Sequence, residues 1–296
     1  MRKSIFVLGG LAVMLGLGFV LAQQDWDKVT IKTTHVAGNV YMLEGRGGNI
    51  GVSVGEDGIL LVDDQFAPLA EKIRKAVQNL RPGDIRFILN THWHGDHTGG
   101  NPIFGKESTI IAHTNVRKRL MTEQRRGSRV TPPAPKEAWP VITFDRSVSI
   151  HFNGEEIKVM HYPRGHTDGD AVVFFTQSNV VHMGDDFFSG RFPFVDLDSG
   201  GDVEGLAGNI GQIINELPAD VKIIPGHGPI STLDDLKAYH TMLKESIVHV
   251  RKQIEAGKDL AAVKAAGVPK EYSGWGWRFI SAERWLEIVY RSLTKK

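Results

Sequence analysis

The stretch Asn90-Thr91-His92-Trp93-His94-Gly95-Asp96-His97-Thr98-Gly99-Gly100-Asn101 is the part of the chain with the highest density of metal-binding side chains. It places three imidazoles and one carboxylate within six positions. The apolar run Ile85 to Leu89 precedes it and predicts a buried strand that ends at the cluster. Imidazole nitrogen and carboxylate oxygen suit zinc in a catalytic site that keeps a position for water. The stretch therefore predicts a metal site at the edge of a sheet.

The alternation of side chains along a strand predicts how these ligands are divided between two metal ions. In extended backbone, His92, His94 and Asp96 point to one side and His97 points elsewhere. One segment can then serve two metal ions, with His92 and His94 on one and Asp96 and His97 on the other. The alternative is a polar loop that happens to be rich in histidine. Four potential ligands directly after a strand favour the metal site, although a motif needs its structural context.

Three later segments also place a potential ligand just after an apolar strand. His166 and His227 lie in turns rich in Gly and Pro, and Asp185 follows the strand from Val180 to Met183. Turn residues at a strand end can project their side chains from the sheet edge. Four strand ends would thus present potential ligands to one edge of the sheet. Chance alone would not place all four directly after strands. Asp186, next to Asp185, is expected to be a bystander.

The segment H-x-H-x-D-H resembles the signature of the metallo-β-lactamase superfamily. The G-H-T-x-G context of His166 and the Gly-Asp pair at Asp185 resemble later motifs of that family, and the resemblance covers about Val29 to Ser231. Asp63 resembles the acidic residue that supports the family's metal site from behind the ligands. The resemblance implies two sets of metal ligands joined by the bridging Asp185: His92, His94 and His166 for the first ion, and Asp96, His97 and His227 for the second.

The order of predicted elements agrees with that family's fold. Short strands alternate with helices, and this mixture favours two sheets covered by helices over one doubly wound parallel sheet. The resemblance implies an α/β fold, a four-layer αββα sandwich with the metals at one edge. Residues 27–230 are predicted to form the catalytic domain. Residues 231–296 have helical apolar spacing and are predicted to be a helical extension packed on the same domain.

The first 22 residues have the layout of a secretory signal peptide. Arg2 and Lys3 precede a long apolar run, and Val20-Leu21-Ala22 forms a small-residue cleavage site. The sequence predicts cleavage after Ala22 and a periplasmic or secreted protein with no stable membrane partner. An uncleaved membrane anchor is the alternative, because the apolar run is near the length that spans a bilayer.

Composition excludes several kinds of chemistry. The chain has 35 basic and 34 acidic residues, and loss of Arg2 and Lys3 with the signal peptide leaves it close to neutral. Charge therefore gives no reason to expect a nucleic-acid partner. The sequence contains no Cys, so disulfides, thiolate ligands and cysteine nucleophiles are excluded.

The predicted site implies a metal-dependent hydrolase. Two cations that share a water lower its pKa and supply a hydroxide nucleophile. The expected cofactor is two Zn²⁺ ions per chain, with Fe or Mn as alternatives. Asp96 and Asp185 are the candidate catalytic residues, and Asp96 can orient the nucleophile or relay its proton. The predicted reaction is cleavage of an ester, lactone, thioester or amide bond in a small molecule.

Two other functions remain open. True metallo-β-lactamases carry Cys or a small residue where Asp185 stands, and Asp185 resembles the arrangement in glyoxalase II and lactonases. Hydrolysis of β-lactam antibiotics is therefore an alternative. A catalytically silent metal-binding protein of the same fold is another, although pseudoenzymes usually lose ligands and all seven positions are filled here.

Substrate contacts are only weakly indicated. Arg164, beside His166, is a candidate partner for a substrate carboxylate, and Phe187 and Phe188 are candidate walls of an apolar pocket or else core residues. The basic segment from Arg117 to Pro135 is either a lid over the site or a solvated loop. The sequence predicts neither the identity of the substrate nor the oligomeric state.

Overall fold

A computed structural model describes residues 25–126 and 128–295. The predicted signal peptide, residues 1–22, lies outside the described residues. The strands are β1 (Lys32–Ala37), β2 (Val40–Glu44), β3 (Ile50–Gly55), β4 (Gly58–Val62), β5 (Ile85–Asn90), β6 (Thr109–His113), β7 (Gln124–Arg126), β8 (Arg129–Thr131), β9 (Ile142–Phe144), β10 (Ser147–Phe152), β11 (Glu155–His161), β12 (Ala171–Phe175), β13 (Val180–His182) and β14 (Lys222–Ile224). The helices are α1 (Ala70–Leu80), α2 (Gly95–Thr98), α3 (Asn101–Phe104), α4 (Thr114–Met121), α5 (Val203–Glu216), α6 (Leu233–Glu255), α7 (Leu260–Ala266) and α8 (Ala282–Thr294).

The strands form two main sheets. The first sheet has the order β1-β2-β3-β4-β5-β6-β9, and the second has the order β10-β11-β12-β13-β14. Strands β4, β5, β6 and β9 pair in parallel, as do β13 and β14. Because parallel strands end at the same edge of a sheet, the loops after β5, β13 and β14 open at strand carboxyl ends, where ligand sites commonly form.

The two sheets pack face to face and bury an apolar core between them. Leu60 and Val62 of β4 contact this core, together with Val159 of β11 and Val173 of β12. The intervening residues Ile59 and Leu61 of β4 face the other way, as alternation in a strand requires. Both faces of the first sheet are therefore buried.

Helices cover the outer face of each sheet. Helix α1 packs Ile73 and Val77 against the first sheet. Helices α5, α6 and α8 pack on the second sheet, where Leu243 and Trp285 are fully buried. The predicted four-layer αββα sandwich with added C-terminal helices is confirmed.

The structure also contains elements that the sequence patterns did not predict. Strand β1 is mostly exposed or half-buried, and the three-residue strand β9 is mostly exposed, so neither has a strong apolar pattern. The segment from Arg117 to Pro135 contains the end of α4 and the hairpin of β7 and β8.

None of the helices among residues 25–126 and 128–295 is both long and apolar enough to cross a membrane.

Candidate metal centre

Four loops bring the seven predicted ligands together at one edge of the sandwich. The segment His92 to His97 follows β5, His166 lies between β11 and β12, Asp185 follows β13, and His227 follows β14. Within each of two groups, the potential ligand atoms lie within 4.8 Å of one another. The groups are His92, His94, His166 and Asp185 in one, and Asp96, His97 and His227 in the other. The six other residues divide as the resemblance implied, and Asp185, the expected bridge, falls in the first group.

The Asp185 carboxylate lies between these two groups. Its Oδ2 is 3.8 Å from Nε2 of His92 and 3.6 Å from Nε2 of His166. Its Oδ1 is 3.1 Å from Nε2 of His97 and 3.4 Å from Nε2 of His227. One oxygen faces each group, which is the placement that a bridging carboxylate needs.

Buried polar atoms at the centre show that these residues fit divalent cations. Nε2 of His92, Nε2 of His97 and Oδ1 of Asp185 are buried and form no hydrogen bond of normal geometry with the described residues. Each such atom costs about 1–3 kcal/mol when it is left unsatisfied. A pair of cations bound by nitrogen and oxygen ligands would satisfy all three atoms.

The backbone of the central stretch differs from the sequence prediction. We expected extended backbone through Asp96, but the chain turns at Gly95 into the short helix α2. The N–H groups of His97 and Thr98 both donate to the carbonyl oxygen of His94. Asp96 and His97 therefore reach the second group because of a helical turn, and strand alternation does not explain their direction.

Hydrogen bonds to the second ring nitrogen fix the orientation of several histidines. Nδ1 of His97 lies 2.7 Å from Oδ2 of Asp63. Nε2 of His94 lies 2.9 Å from Oδ2 of Asp196. Nδ1 of His166 lies 2.7 Å from the carbonyl oxygen of Phe194. In each ring the remaining nitrogen faces the cluster, as is usual for metal-binding histidines.

Asp63 lies where the sequence analysis expected it, directly behind the ligands. Its carboxylate also accepts hydrogen bonds from the backbone N–H and the hydroxyl of Thr91, at 2.8 and 2.7 Å. Its φ angle of 65° is in the left-handed region, which Asp tolerates better than most residues. Asp63 thus joins the end of β4 to the histidine stretch.

Two positioning residues were not predicted from the sequence. Asp196 is 102 positions from its partner His94 and lies in no recognisable motif. Asn49 donates through Nδ2 to the carbonyl oxygens of Pro225 and Gly228, at 2.9 and 2.8 Å, and so fixes the turn that carries His227. Both contacts join distant parts of the chain, and only the folded structure reveals them.

The pKa values within the cluster are strongly perturbed. Burial lowers the pKa of His92 well below its usual value and keeps the ring in the neutral form that binds metals. Burial alone would raise the pKa of Asp185, but the charges of His97 and His227 hold it well below its usual range. Burial would lower the pKa of His227, but Asp185 raises it to about 9. Cations and protons therefore compete for this centre.

Asp186 supports the cluster without facing it. The backbone N–H of His166 donates to Oδ1 of Asp186 at 3.2 Å. Burial and then the charge of Asp170 raise the pKa of Asp186 well above its usual value. Asp170 in turn accepts from the backbone N–H of Thr167 at 2.7 Å. These buried acids hold the His166 turn in place.

Two candidate substrate contacts are not brought to the cluster. The Arg164 side chain is exposed and lies 3.4 Å from Oδ2 of Asp202 on the surface. Phe187 is fully buried and packs against Tyr239, with ring centroids 5.1 Å apart, so it belongs to the core. Phe188 does lie at the site, because its ring stacks on His227 at a centroid distance of 5.1 Å.

Arg119 helps to hold the basic segment near the site. The guanidinium of Arg119 contacts both carboxylate oxygens of Asp168 at 2.7 Å. It also lies 5.8 Å from the ring centroid of Trp93, in the central stretch. This contact anchors the end of α4.

Comparisons with known proteins agree with this geometry. The sequence model of the metallo-beta-lactamase superfamily matches residues 34–259. A hydroxyacylglutathione hydrolase of Polaromonas sp. is 28% identical over 192 residues, which cover 64% of this chain and 64% of that protein. The hydroxyacylglutathione hydrolase GloC of Haemophilus influenzae is 27% identical over 181 residues, which cover 59% of this chain and 82% of that protein.

Solved structures share the fold at low sequence identity. A metallo-beta-lactamase from Pontibacter korlensis has a TM-score of 0.60 and 16% identity, and the match covers 73% of this chain and 99% of that chain. A sec-alkylsulfatase, Pisa1 from Pseudomonas sp., has a TM-score of 0.67 and 16% identity, covering 89% of this chain and 50% of that chain. This chain therefore spans half the length of the sulfatase and less than two thirds of the Polaromonas enzyme.

The αββα fold and the two neighbouring groups of histidine and aspartate side chains are typical of one class of proteins. Proteins of this class have hydrolytic metal sites at the edge of an αββα sandwich. The family model covers more than half of the sequence, and the chain belongs to the metallo-beta-lactamase superfamily. It is a hydrolase of that superfamily, and the sequence-based family prediction is confirmed.

Proposed function

We propose that this chain is a dinuclear zinc hydrolase that cleaves an ester, lactone, thioester or amide bond of a small molecule. The observation that carries the proposal is the position of Asp185, which presents one oxygen to each group of histidines. Bound divalent cations would lower the pKa of a water toward neutrality and polarise the scissile bond. The similarity to hydroxyacylglutathione hydrolases supports a thioester or ester substrate.

Asp96 is the residue best placed to move a proton in this reaction. Its Oδ2 lies 3.3 Å from Nε2 of His227, and about a third of its side chain is exposed, at 33%. A carboxylate that uses one oxygen as a ligand has a second oxygen that can accept a proton. During hydrolysis the water oxygen bonds to the acyl carbon, and the bond from that carbon to the leaving atom breaks. Asp96 would carry the proton from the water to the leaving atom.

The proposal is tested by metal analysis combined with a substrate panel. We expect two zinc ions per chain and hydrolysis of at least one ester, thioester or lactone. A chelator should abolish this activity, and added Zn²⁺ should restore it. Turnover of β-lactams alone would favour the β-lactamase alternative, while absence of both metal and turnover would favour a silent protein of the same fold.

A substitution at the bridging position gives a sharper test. Asp185→Asn should lower kcat/KM by at least about 100-fold, since even indirect contacts to metal ligands are worth about 10–100-fold. Asp234→Asn is a matched control, because Asp234 is exposed in the first turn of α6 and forms an ion pair with Lys237. Equal activity of the two variants would contradict the role of Asp185.

We further propose export from the cytoplasm with cleavage after Ala22. The charged start, the apolar run and the Val-x-Ala ending support this. N-terminal sequencing of the native protein should begin at Gln23. Recovery of the intact N-terminus in a membrane fraction would instead indicate an uncleaved anchor.

A further inference from the structure

An aromatic surface borders the metal centre on the side of the C-terminal extension. Three residues form it, Phe194, Trp277 and Phe279, and we call them the aromatic wall. The Trp277 ring lies 5.9 Å from the His227 ring and 5.7 Å from the Phe279 ring. Phe279 lies 5.7 Å from Phe194, so the wall is continuous.

The wall connects the two groups of metal ligands. At one end Trp277 lies against His227, a member of the second group. At the other end Phe194 lies 5.9 Å from His94 and 5.8 Å from His166, which belong to the first group. A substrate whose scissile bond lies at the centre would therefore contact the wall with the atoms next to that bond.

Hydrogen bonds hold the wall in place. Nε1 of Trp277 donates to the carbonyl oxygen of Phe192 at 2.9 Å. The backbone N–H of Phe192 donates to the carbonyl oxygen of Trp275 at 3.0 Å, and that of Trp277 donates to Ile280 at 2.9 Å. Because the wall is fixed before a ligand arrives, binding there loses little conformational entropy.

Exposure distinguishes the wall from ordinary core packing. Phe279 is 46% exposed and Trp277 is half-buried. Phe194 and Phe279 line a cleft of about 710 Å³ together with Asp196, the partner of His94. Ligand sites are typically concave, with apolar walls and a few polar groups, and two residues of the aromatic wall belong to the lining of this cleft.

The charges around the cleft disfavour a strongly anionic ligand. Four acidic and three basic side chains line it. Lys264 forms an ion pair with Glu287, and Arg291 lies 3.8 Å from Asp198. The guanidinium of Arg284 lies 4.7 Å from the Phe279 ring centroid. At this distance the cation is attracted to the face of the ring.

We propose that the aromatic wall is the subsite for an uncharged alkyl or aryl group of the substrate. The enzyme would then prefer esters, thioesters or lactones with such a group over the charged hydroxyacyl thioesters of glutathione. This inference rests on the proposed hydrolase function and adds the class of substrate. It also gives the C-terminal extension a role in specificity.

The first test compares p-nitrophenyl hexanoate, p-nitrophenyl acetate and a hydroxyacylglutathione. Each added methylene in an apolar pocket is worth about tenfold or more, so the hexanoate should exceed the acetate in kcat/KM by at least about tenfold. Phe279→Ala should reduce that ratio at least about fivefold, and Phe279→Leu should restore most of it. Val141→Ala is the control, because Val141 is 71% exposed and lies outside the cleft; its ratio should match the wild type.

The second test measures binding without turnover. N-phenyl-1-naphthylamine, an uncharged dye that brightens in apolar surroundings, should bind the wild type and Val141→Ala but only weakly Phe279→Ala. Hydrolysis without chain-length preference, or preference for the glutathione thioester, would overturn the subsite and leave the proposed hydrolase intact. Dye binding that depends on Phe279, together with no hydrolysis of any substrate, would overturn the proposed function and leave the subsite.

Discussion

Two buried carboxylates orient histidines on opposite sides of the metal centre. Asp63 contacts His97 in the second group, and Asp196 contacts His94 in the first. Each carboxylate accepts from the ring nitrogen that faces away from the cluster, so it fixes the tautomer and directs the other nitrogen inward. Substitutions here should affect one cation site at a time.

Asp63→Asn should weaken cation binding at the second group. Asn keeps the size of the side chain and tolerates the left-handed backbone, but it removes the charge that stabilises the His97 N–H. We expect the affinity for Zn²⁺ at the second group to fall by about 10–100-fold, measured by titration calorimetry on protein freed of metal.

Asp64→Asn is the matched control for that substitution. Burial raises the pKa of Asp64 well above its usual value, and an amide oxygen can still accept from the Gly100 N–H, which Oδ1 of Asp64 now does at 2.8 Å. Zinc affinity in this variant should therefore stay close to that of the wild type. A similar loss in both variants would indicate general damage to the loop.

Asp196→Asn should perturb the first group. Loss of the carboxylate would free the His94 ring to rotate or change tautomer, with an expected loss of about 10–100-fold in affinity for one cation. Visible absorption of the Co²⁺-substituted protein would report the altered ligand geometry. An unchanged spectrum and affinity would show that Asp196 does not position His94.

The potential metal ligands could be predicted from the sequence, but the residues that position them could not. His92, His94, Asp96 and His97 occur in one short motif, and His166, Asp185 and His227 each follow a predicted strand. Asp196 and Asn49 contact the site through hydrogen bonds that join residues more than a hundred positions apart. No local pattern encodes such contacts, because they depend on how the loops meet.

At the scale of elements, the strongly patterned segments were predictable. Helix α6 follows the apolar spacing expected after Leu233, and Ser281 caps α8 by accepting from the backbone N–H of Arg284. Strand β1 was missed because exposed Lys and Thr residues dominate it. The turn into α2 was missed because its four residues, Gly95 to Thr98, show no helical periodicity.

Helix α6 begins with a capping box that should contribute measurably to stability. Thr232 accepts from the backbone N–H of Asp235, whose carboxylate accepts from the backbone N–H of Thr232 at 2.8 Å. Thr232→Ala should lower the free energy of unfolding by about 1 kcal/mol and the Tm by about 2 °C, measured by calorimetry. Thr241→Ala, within the same helix, removes a hydroxyl but no cap, so a comparable loss there would contradict the capping role.

At the scale of the whole molecule, a pair of histidines outside the two ligand groups connects the two sheets. His113 ends β6 of the first sheet, and His161 ends β11 of the second. Their rings are stacked with centroids 3.8 Å apart and an interplanar angle of 16°. His161 was the remaining histidine closest in sequence to the ligand His166, but it belongs to this pair.

The protein should become less stable as the pH is lowered, because of this pair. Burial, with the charge of His161 as a second cause, lowers the pKa of His113 from 6.5 to about 4. The contribution of His113 is therefore complete above about pH 6.5 and is lost as the pH falls toward 4. Nδ1 of His113 also accepts from the backbone N–H of Asn115 at 3.2 Å, and protonation would remove that cap of α4.

Melting temperatures measured from pH 7.5 to 4.5 test this expectation. His113→Asn keeps a side chain that can cap α4 but does not titrate, so its Tm should decline less than that of the wild type. His151→Asn, at an exposed position on β10, should follow the wild-type curve. Parallel curves for all three proteins would contradict a role for His113.

The placement of the ligands across the two sheets has a consequence for assembly. His92, His94, Asp96 and His97 come from the part of the chain before β10, and His166, Asp185 and His227 come from the part after it. Each ligand group draws on both parts. If the chain were cut between β9 and β10, neither fragment would contain a complete ligand group. Tight binding of zinc by a mixture of the two fragments would then show that they had associated.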